Sequence, residues 1–128
     1  MLETAVETAE RPLILLLEDD AAVRRSLLLL LVGSDFTVRS YATGAALLAD
    51  PQAKDAAGLV IDYRLPDGNG LSVTRALRDA GFNGHAILIT AFPSPELSAA
   101  ARAEGFVRVF EKPLTHRLLV QAIAELSR

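Results

Sequence analysis

Five side chains in this sequence each follow a short apolar run. Glu18 and Asp19 follow Leu13-Ile-Leu-Leu-Leu17, and Asp62 follows Leu59-Val-Ile61. Thr90 follows Ala86-Ile-Leu-Ile89, and Lys112 lies just beyond Val107-Arg-Val-Phe110. Apolar runs without alternation are the pattern of strands buried on both faces. Each polar residue then stands at the carboxyl end of a strand, the edge where open α/β sheets bind ligands. Carboxylates converging without thiols or a His cluster suit a hard cation held by oxygen, which is the magnesium pattern. A Lys beside them can balance charge or hold a phosphoryl oxygen, and a Thr hydroxyl can donate to that same oxygen. Mg2+, Lys112 and Thr90 around one free carboxylate, Asp62, suit phosphoryl transfer onto that carboxylate by in-line attack. Taken singly, each residue reads more readily as a helix cap, a solvated charge or a surface ion pair. The matched positions of all five carry the inference.

The elements that must position them follow from the rest of the chain. Strands are predicted over Leu13–Leu17, Phe36–Tyr41, Leu59–Asp62, Ala86–Ile89 and Val107–Phe110. Between and after them the sequence predicts helices. Asp20 caps Ala21–Val32, with Gly33 as the stop, and Thr43 caps Gly44–Asp50. Leu71–Ala80 presents Leu71, Thr74 and Leu77 or Ala76 inward. Ser94-Pro95-Glu96 opens a helix reaching about Glu104, and Thr115–Leu126 is the last. Regular alternation of strand and helix means right-handed β-α-β units and an α/β fold, with a parallel sheet covered on both faces. Residues 1–12 read as an N-terminal tail and 13–128 as one domain.

A chain of 128 residues makes one compact domain, and 51% hydrophobic residues supply its core. A net charge of -3 without clustered Lys and Arg argues against direct nucleic-acid binding. The absence of Cys excludes disulfides and thiolate metal sites. The acidic N-terminus, Met1 to Glu10, lacks a signal-peptide layout. The longest nearly apolar stretch, Ser26 to Gly33, is too short to span a bilayer. A protein of the cytoplasm, off the membrane, is expected.

Leu17-Glu-Asp-Asp20, Ile61-Asp62, Ile89-Thr-Ala91 and Glu111-Lys-Pro113 occur in an order and spacing that resemble the receiver domain of bacterial two-component response regulators, the CheY-like family. The resemblance covers about Leu13 to Leu126. It implies a flavodoxin-like three-layer (β/α)5 fold with strand order 2-1-3-4-5. It implies that Asp62 is the phosphoacceptor, that Asp19 binds Mg2+ directly and that Glu18 binds it through water. The main-chain carbonyl of Arg64 would complete the protein's share of the metal shell. Thr90 would be the hydroxyl that follows the phosphoryl group, with small Ala91 beside it leaving room. Lys112 would pair with the phosphoryl group, and the peptide before Pro113 would be cis. The implied partner is a histidine kinase or histidine phosphotransfer protein, with a homodimer as a further assembly and the fourth helix and fifth strand as the face that changes.

Three features depart from that pattern. Arg64 and Phe92, two residues after Asp62 and two after Thr90, hold positions that flank the path of attacking water in similar domains; both are bulky, so slow loss of phosphate from Asp62 is expected. The family's usual aromatic, three residues before the Lys, is Val109 here, and Phe110 should point to the opposite face as core. The signal is then expected to leave through the loop Phe92-Pro-Ser-Pro95. On the first helix, Val23, Leu27, Leu30 and Leu31 share an inward stripe, while Leu29 and Val32 fall outward near Arg25. Those outward residues read either as partial burial against loops or as a docking surface.

Three functions compete. The chain is a stand-alone receiver, which its ending close to the last helix favours, or the receiver half of a longer DNA-binding regulator. The third is an Asp-nucleophile phosphatase, which needs Asp-x-Asp after the first strand where this chain has Glu18-Asp19-Asp20. The receiver reading makes the protein no enzyme beyond its own phosphorylation and dephosphorylation.

Overall fold

The computed structural model describes residues 11–127. Of the expected tail only Arg11 and Pro12 fall within them. Strand β1 (Leu13–Leu17) and strand β3 (Gly58–Asp62) are buried almost throughout, as is β4 (His85–Thr90). Strand β2 (Thr37–Tyr41) and strand β5 (Phe106–Glu111) carry exposed residues and take the edges. The order is β2-β1-β3-β4-β5, with every pairing parallel, as the resemblance implied.

Alternation along the buried strands divides the core. Leu15, Leu17, Leu59, Ile61 and Leu88 face one side, where they cluster with Leu47 of α2 (Gly44–Leu48), Val73 and Leu77 of α3 (Gly70–Asp79) and Ala101 of α4 (Pro95–Ala103). Ile14, Leu16, Val60, Ile87 and Ile89 face the other, against Leu27 and Leu31 of α1 (Ala21–Gly33) and Ala122 and Leu126 of α5 (His116–Leu126). Each such aliphatic side chain contributes about 1.5–3 kcal/mol by leaving water. All five helices begin on a side-chain cap: Asp20, Thr43, Asn69, Ser94 and Thr115. Each cap satisfies a main-chain N–H that the helix itself leaves unpaired.

Several boundaries differ from the sequence expectation. Helix α3 starts at Gly70 under Asn69, and it buries Val73 while Ala76 is exposed. Helix α2 stops at Leu48, because Asp50 is engaged by the side chains of Arg39 and Tyr41. Gly33 remains helical and does not make the stop. Ser34 is the C-cap, and Asp35 takes the left-handed conformation with φ of 70°. Phe36 precedes β2 as a buried core residue. Strand β5 is longer than expected and irregular. Ala86 pairs with Phe106 and Ile87 with Arg108, so Val107 is left over and the facing of the strand reverses there. Phe110 consequently joins the core with α1 and α5, and half-buried Val109 packs on the opposite face, as its position predicted.

Candidate functional site

Register alone brings four of the five side chains to one edge. Leu17 pairs with Ile61, so Glu18 comes level with Asp62 at the carboxyl edge. Asp62 pairs with Ile89, which puts Thr90 one residue further out on β4. Thr90 pairs with Glu111, which puts Lys112 just past the end of β5. The main chain continues this order, since the Tyr63 N–H donates to Ile89 O at 2.9 Å and the Lys112 N–H to Thr90 O at 2.7 Å.

Lys112 ties the acids together. Its Nζ lies 2.6 Å from Asp62 Oδ2 and 2.6 Å from Glu18 Oε1. The contact with Asp62 is a hydrogen bond, and Asp62 Oδ1 accepts from the Arg64 N–H at 3.3 Å. Glu18 is wholly buried, with Oε2 accepting from the Asp20 N–H at 3.0 Å. Its Oε1 touches Lys112 as an ion pair but has no aligned hydrogen bond, so it keeps free acceptor capacity. Burial pushes the Glu18 carboxyl above its ordinary value, and the charge of Asp62 adds to that, against the pull of Lys112. Burial alone would lower the Lys112 amine. Its close contacts with Asp62 and Glu18 outweigh burial and hold it above the usual lysine value.

Glu18, Asp19 and Asp62 can each bring a carboxylate oxygen within 4.8 Å of the others, with Asp19 at the exposed rim. Oxygen-only donors and the unsatisfied Glu18 Oε1 fit a small hard cation. Asp20 stands apart from this group. Its Oδ1 accepts from the Ala22 and Val23 N–H groups and caps α1.

Thr90 is buried beside the acids, and its Oγ1 accepts from the Phe92 N–H at 3.1 Å. Ala91 is exposed and borders a groove of about 550 Å³, shared with Lys112, Pro113, Leu27 and Leu119. The Lys112–Pro113 peptide is cis, as the resemblance implied.

Three supporting contacts lie outside the sequence reading. A Cβ on Gly70 would lie 2.6 Å from the carbonyl oxygen of Asp62, so only glycine lets α3 start against the acceptor's main chain. Its place after Asn69, a cap-forming residue type, was the available signal. Arg24 donates to Glu18 O at 2.8 Å and so fixes the loop that carries the first acids. Arg64 lays its guanidinium over the Phe92 ring, 4.6 Å from the centroid. No sequence pattern marks the Arg24 or Arg64 contacts, which depend on the course of neighbouring loops.

Residues 14–124 match the response regulator receiver domain family. The chain is 31% identical over 113 residues to the transcriptional regulatory protein FixJ of Rhizobium meliloti, covering 88% of this chain and 55% of that protein. It is 29% identical over 110 residues to the response regulator protein TodT of Pseudomonas putida, covering 86% and 48%. The chain thus spans about half the length of these curated relatives. Among solved structures, FixJ-N superposes with a TM-score of 0.77 at 30% identity, covering 92% of this chain and 94% of that one. A CheY-like receiver domain protein from Methanospirillum hungatei JF-1 gives 0.83 at 25% identity, covering 92% and 95%.

Proposed function

This chain belongs to the response regulator receiver domain family, and from that premise we propose that it accepts a phosphoryl group on Asp62 from a phosphohistidine of a histidine kinase or histidine phosphotransfer protein. The observation that carries this reading is the Lys112 amine, 2.6 Å from both Asp62 and Glu18, at one end of a parallel sheet. An Asp62 carboxylate oxygen attacks phosphorus. A phosphorus–oxygen bond forms as the phosphorus–nitrogen bond to the donor breaks, and the electron pair leaves on the imidazole nitrogen. Lys112 is placed to follow the charge as it moves onto the phosphoryl oxygens. Thr90 is placed to donate its hydroxyl proton to one of them, and exposed Ala91 beside it keeps the approach open.

Glu18, Asp19, Asp62 and the Arg64 carbonyl would hold Mg2+. Bound there, it neutralises negative charge on the transferring group. Transfer ends on the protein's own side chain, so the protein acts as a signalling acceptor and turns over no separate substrate. A cytoplasmic site of action suits a kinase partner, and the face of α4 and β5 is the surface that changes. Among the described residues no helix is long and apolar enough to cross a membrane.

One observation supports a second reading of the context. Relatives such as FixJ are about twice as long as the matched segment, which supports reading this chain as the receiver portion of a longer transcriptional regulator.

Acetyl phosphate with Mg2+ tests the chemistry. Intact mass should rise by one phosphoryl group in the parent, and by none in Asp62→Asn or with a chelator present. An equal gain in Asp62→Asn would remove Asp62 as the acceptor.

A further inference from the structure

Arg64 and Phe92 are each hydrogen-bonded, through the main chain, to one of the two groups that would meet the phosphoryl group. The Arg64 N–H donates to Asp62 Oδ1 and the Phe92 N–H to Thr90 Oγ1. Their side chains meet above, with the guanidinium 4.6 Å from the ring centroid. They line a cleft of about 330 Å³ with Tyr63, Leu71, Glu96 and Leu97. We propose that this pair is a phosphate-operated latch. The Arg64 guanidinium rests on the Phe92 ring while Asp62 is a free carboxylate. It transfers to the phosphoryl oxygens once Asp62 is esterified, and the released Phe92 ring reports the modification. This inference rests on Asp62 being the acceptor.

The charges around Asp62 favour the transfer. Phosphorylation adds negative charge where Lys112 is already shared between Asp62 and Glu18. Arg64 is exposed, and among the described residues it forms no ion pair, so its cation is available. A guanidinium on an exposed ring is held weakly. A bidentate, charge-assisted contact with phosphoryl oxygens is markedly stronger and matches the fork of its N–H groups. The differential contact between the two states biases the arrangement. Phe92 is 64% exposed even with Arg64 over it, so its ring can swing without repacking the core. Val109 is half-buried against the core and has no ring to move, so β5 offers no alternative reporter at that position.

The chain contains no Trp, so Phe92→Trp makes a single-tryptophan protein whose indole keeps the stack. Acetyl phosphate and Mg2+ are added, and emission and intact mass are followed together. The expected result is an emission shift that tracks the mass gain. In the double variant Arg64→Ala with Phe92→Trp, incubated until its mass gain equals that of Phe92→Trp, the shift is lost. An equal shift without Arg64, or no shift in Phe92→Trp despite complete mass gain, overturns the latch and leaves the acceptor role standing. No mass gain in the parent overturns the acceptor role itself, and the latch with it.

Discussion

Lys112 sits 2.6 Å from each of two carboxylates, Glu18 and Asp62, with Asp19 at the rim of the same pocket. One cation cannot neutralise three acids, and buried Glu18 has its carboxyl pushed upward as a result of burial and of Asp62. Deleting Asp62 leaves Lys112 paired with Glu18, so the change orphans no buried charge. In chelator, Asp62→Ala should therefore raise the melting temperature, equivalent to about 1 kcal/mol of relieved repulsion. A lower temperature in a thermal melt would show that the acids are not in conflict. A second polar group makes an opposite contribution. The Tyr41 hydroxyl donates to Asp50 Oδ2 at 2.6 Å, and Arg39 pairs with the same oxygen. The Tyr41 hydrogen bond leads the causes that hold Asp50 down to about 2, and burial leads those that push the Tyr41 phenol up to about 12. A depressed carboxyl stabilises the fold above its ordinary value, and that stability is lost as pH falls through about 2. A raised phenol stabilises it below its ordinary value, and that stability is lost as pH rises through about 12. Asp50→Asn should thus lower the melting temperature at neutral pH and lose most of that effect near pH 2. Melts across the acid range check this, and an effect independent of pH would refute it.

At the scale of elements, two glycines make opposite demands. Gly33 is helical in the last turn of α1, and a Cβ there would meet nothing within 4 Å. Gly33→Ala should stabilise the protein by about 0.5–1 kcal/mol, since alanine loses less backbone entropy in a helix. Gly70 opens α3 against the Asp62 carbonyl, where a Cβ would sit at 2.6 Å. Gly70→Ala must shift α3 or β3, so we expect a loss of about 1–3 kcal/mol and slower phosphorylation by acetyl phosphate. Denaturant titration of both variants measures the two signs. The same pair marks what the sequence could express. The apolar runs and cap residues placed every strand and nearly every helix start, because periodicity and capping are local. The stop of α1 was assigned to Gly33 because glycine is the usual left-handed residue. Asp35 takes that conformation instead, its φ of 70° fixed by the chain's turn into Phe36 and β2. The inward face of α3 holds Leu71, Thr74 and Leu77 as expected and adds Val73, while Ala76 faces outward; the start of the helix at Gly70 was not legible because it depends on a contact with β3.

On the scale of the whole molecule, the site was legible because a parallel sheet converts sequence position into place. Any polar residue that ends a buried run must reach one edge, and the register brings Glu18, Asp62, Thr90 and Lys112 to it in steps of a residue or less. What lies above that edge follows side-chain reach across loops, which no local pattern encodes; the Arg64–Phe92 stack is of this kind. The outer surface is intermediate. The α1 stripe was legible as two faces of one helix, and the structure leaves Leu29 59% and Val32 50% exposed while Leu27 and Leu31 are buried. This outward pair lies on the helix whose inner face lines the groove beside Lys112. A histidine donor's helices must come close to that groove to reach Asp62, so docking and chemistry are separable on α1. Leu29→Asp should cut the rate of transfer from a phosphohistidine donor by roughly tenfold or more, the cost of one desolvated apolar contact. Its labelling by acetyl phosphate and its melting temperature should stay at the parent values, because Leu29 touches neither the acids nor the core. An unchanged rate with the protein donor would remove α1 from the docking surface, and equal losses with both donors would mean that the change had reached Asp62 through the fold.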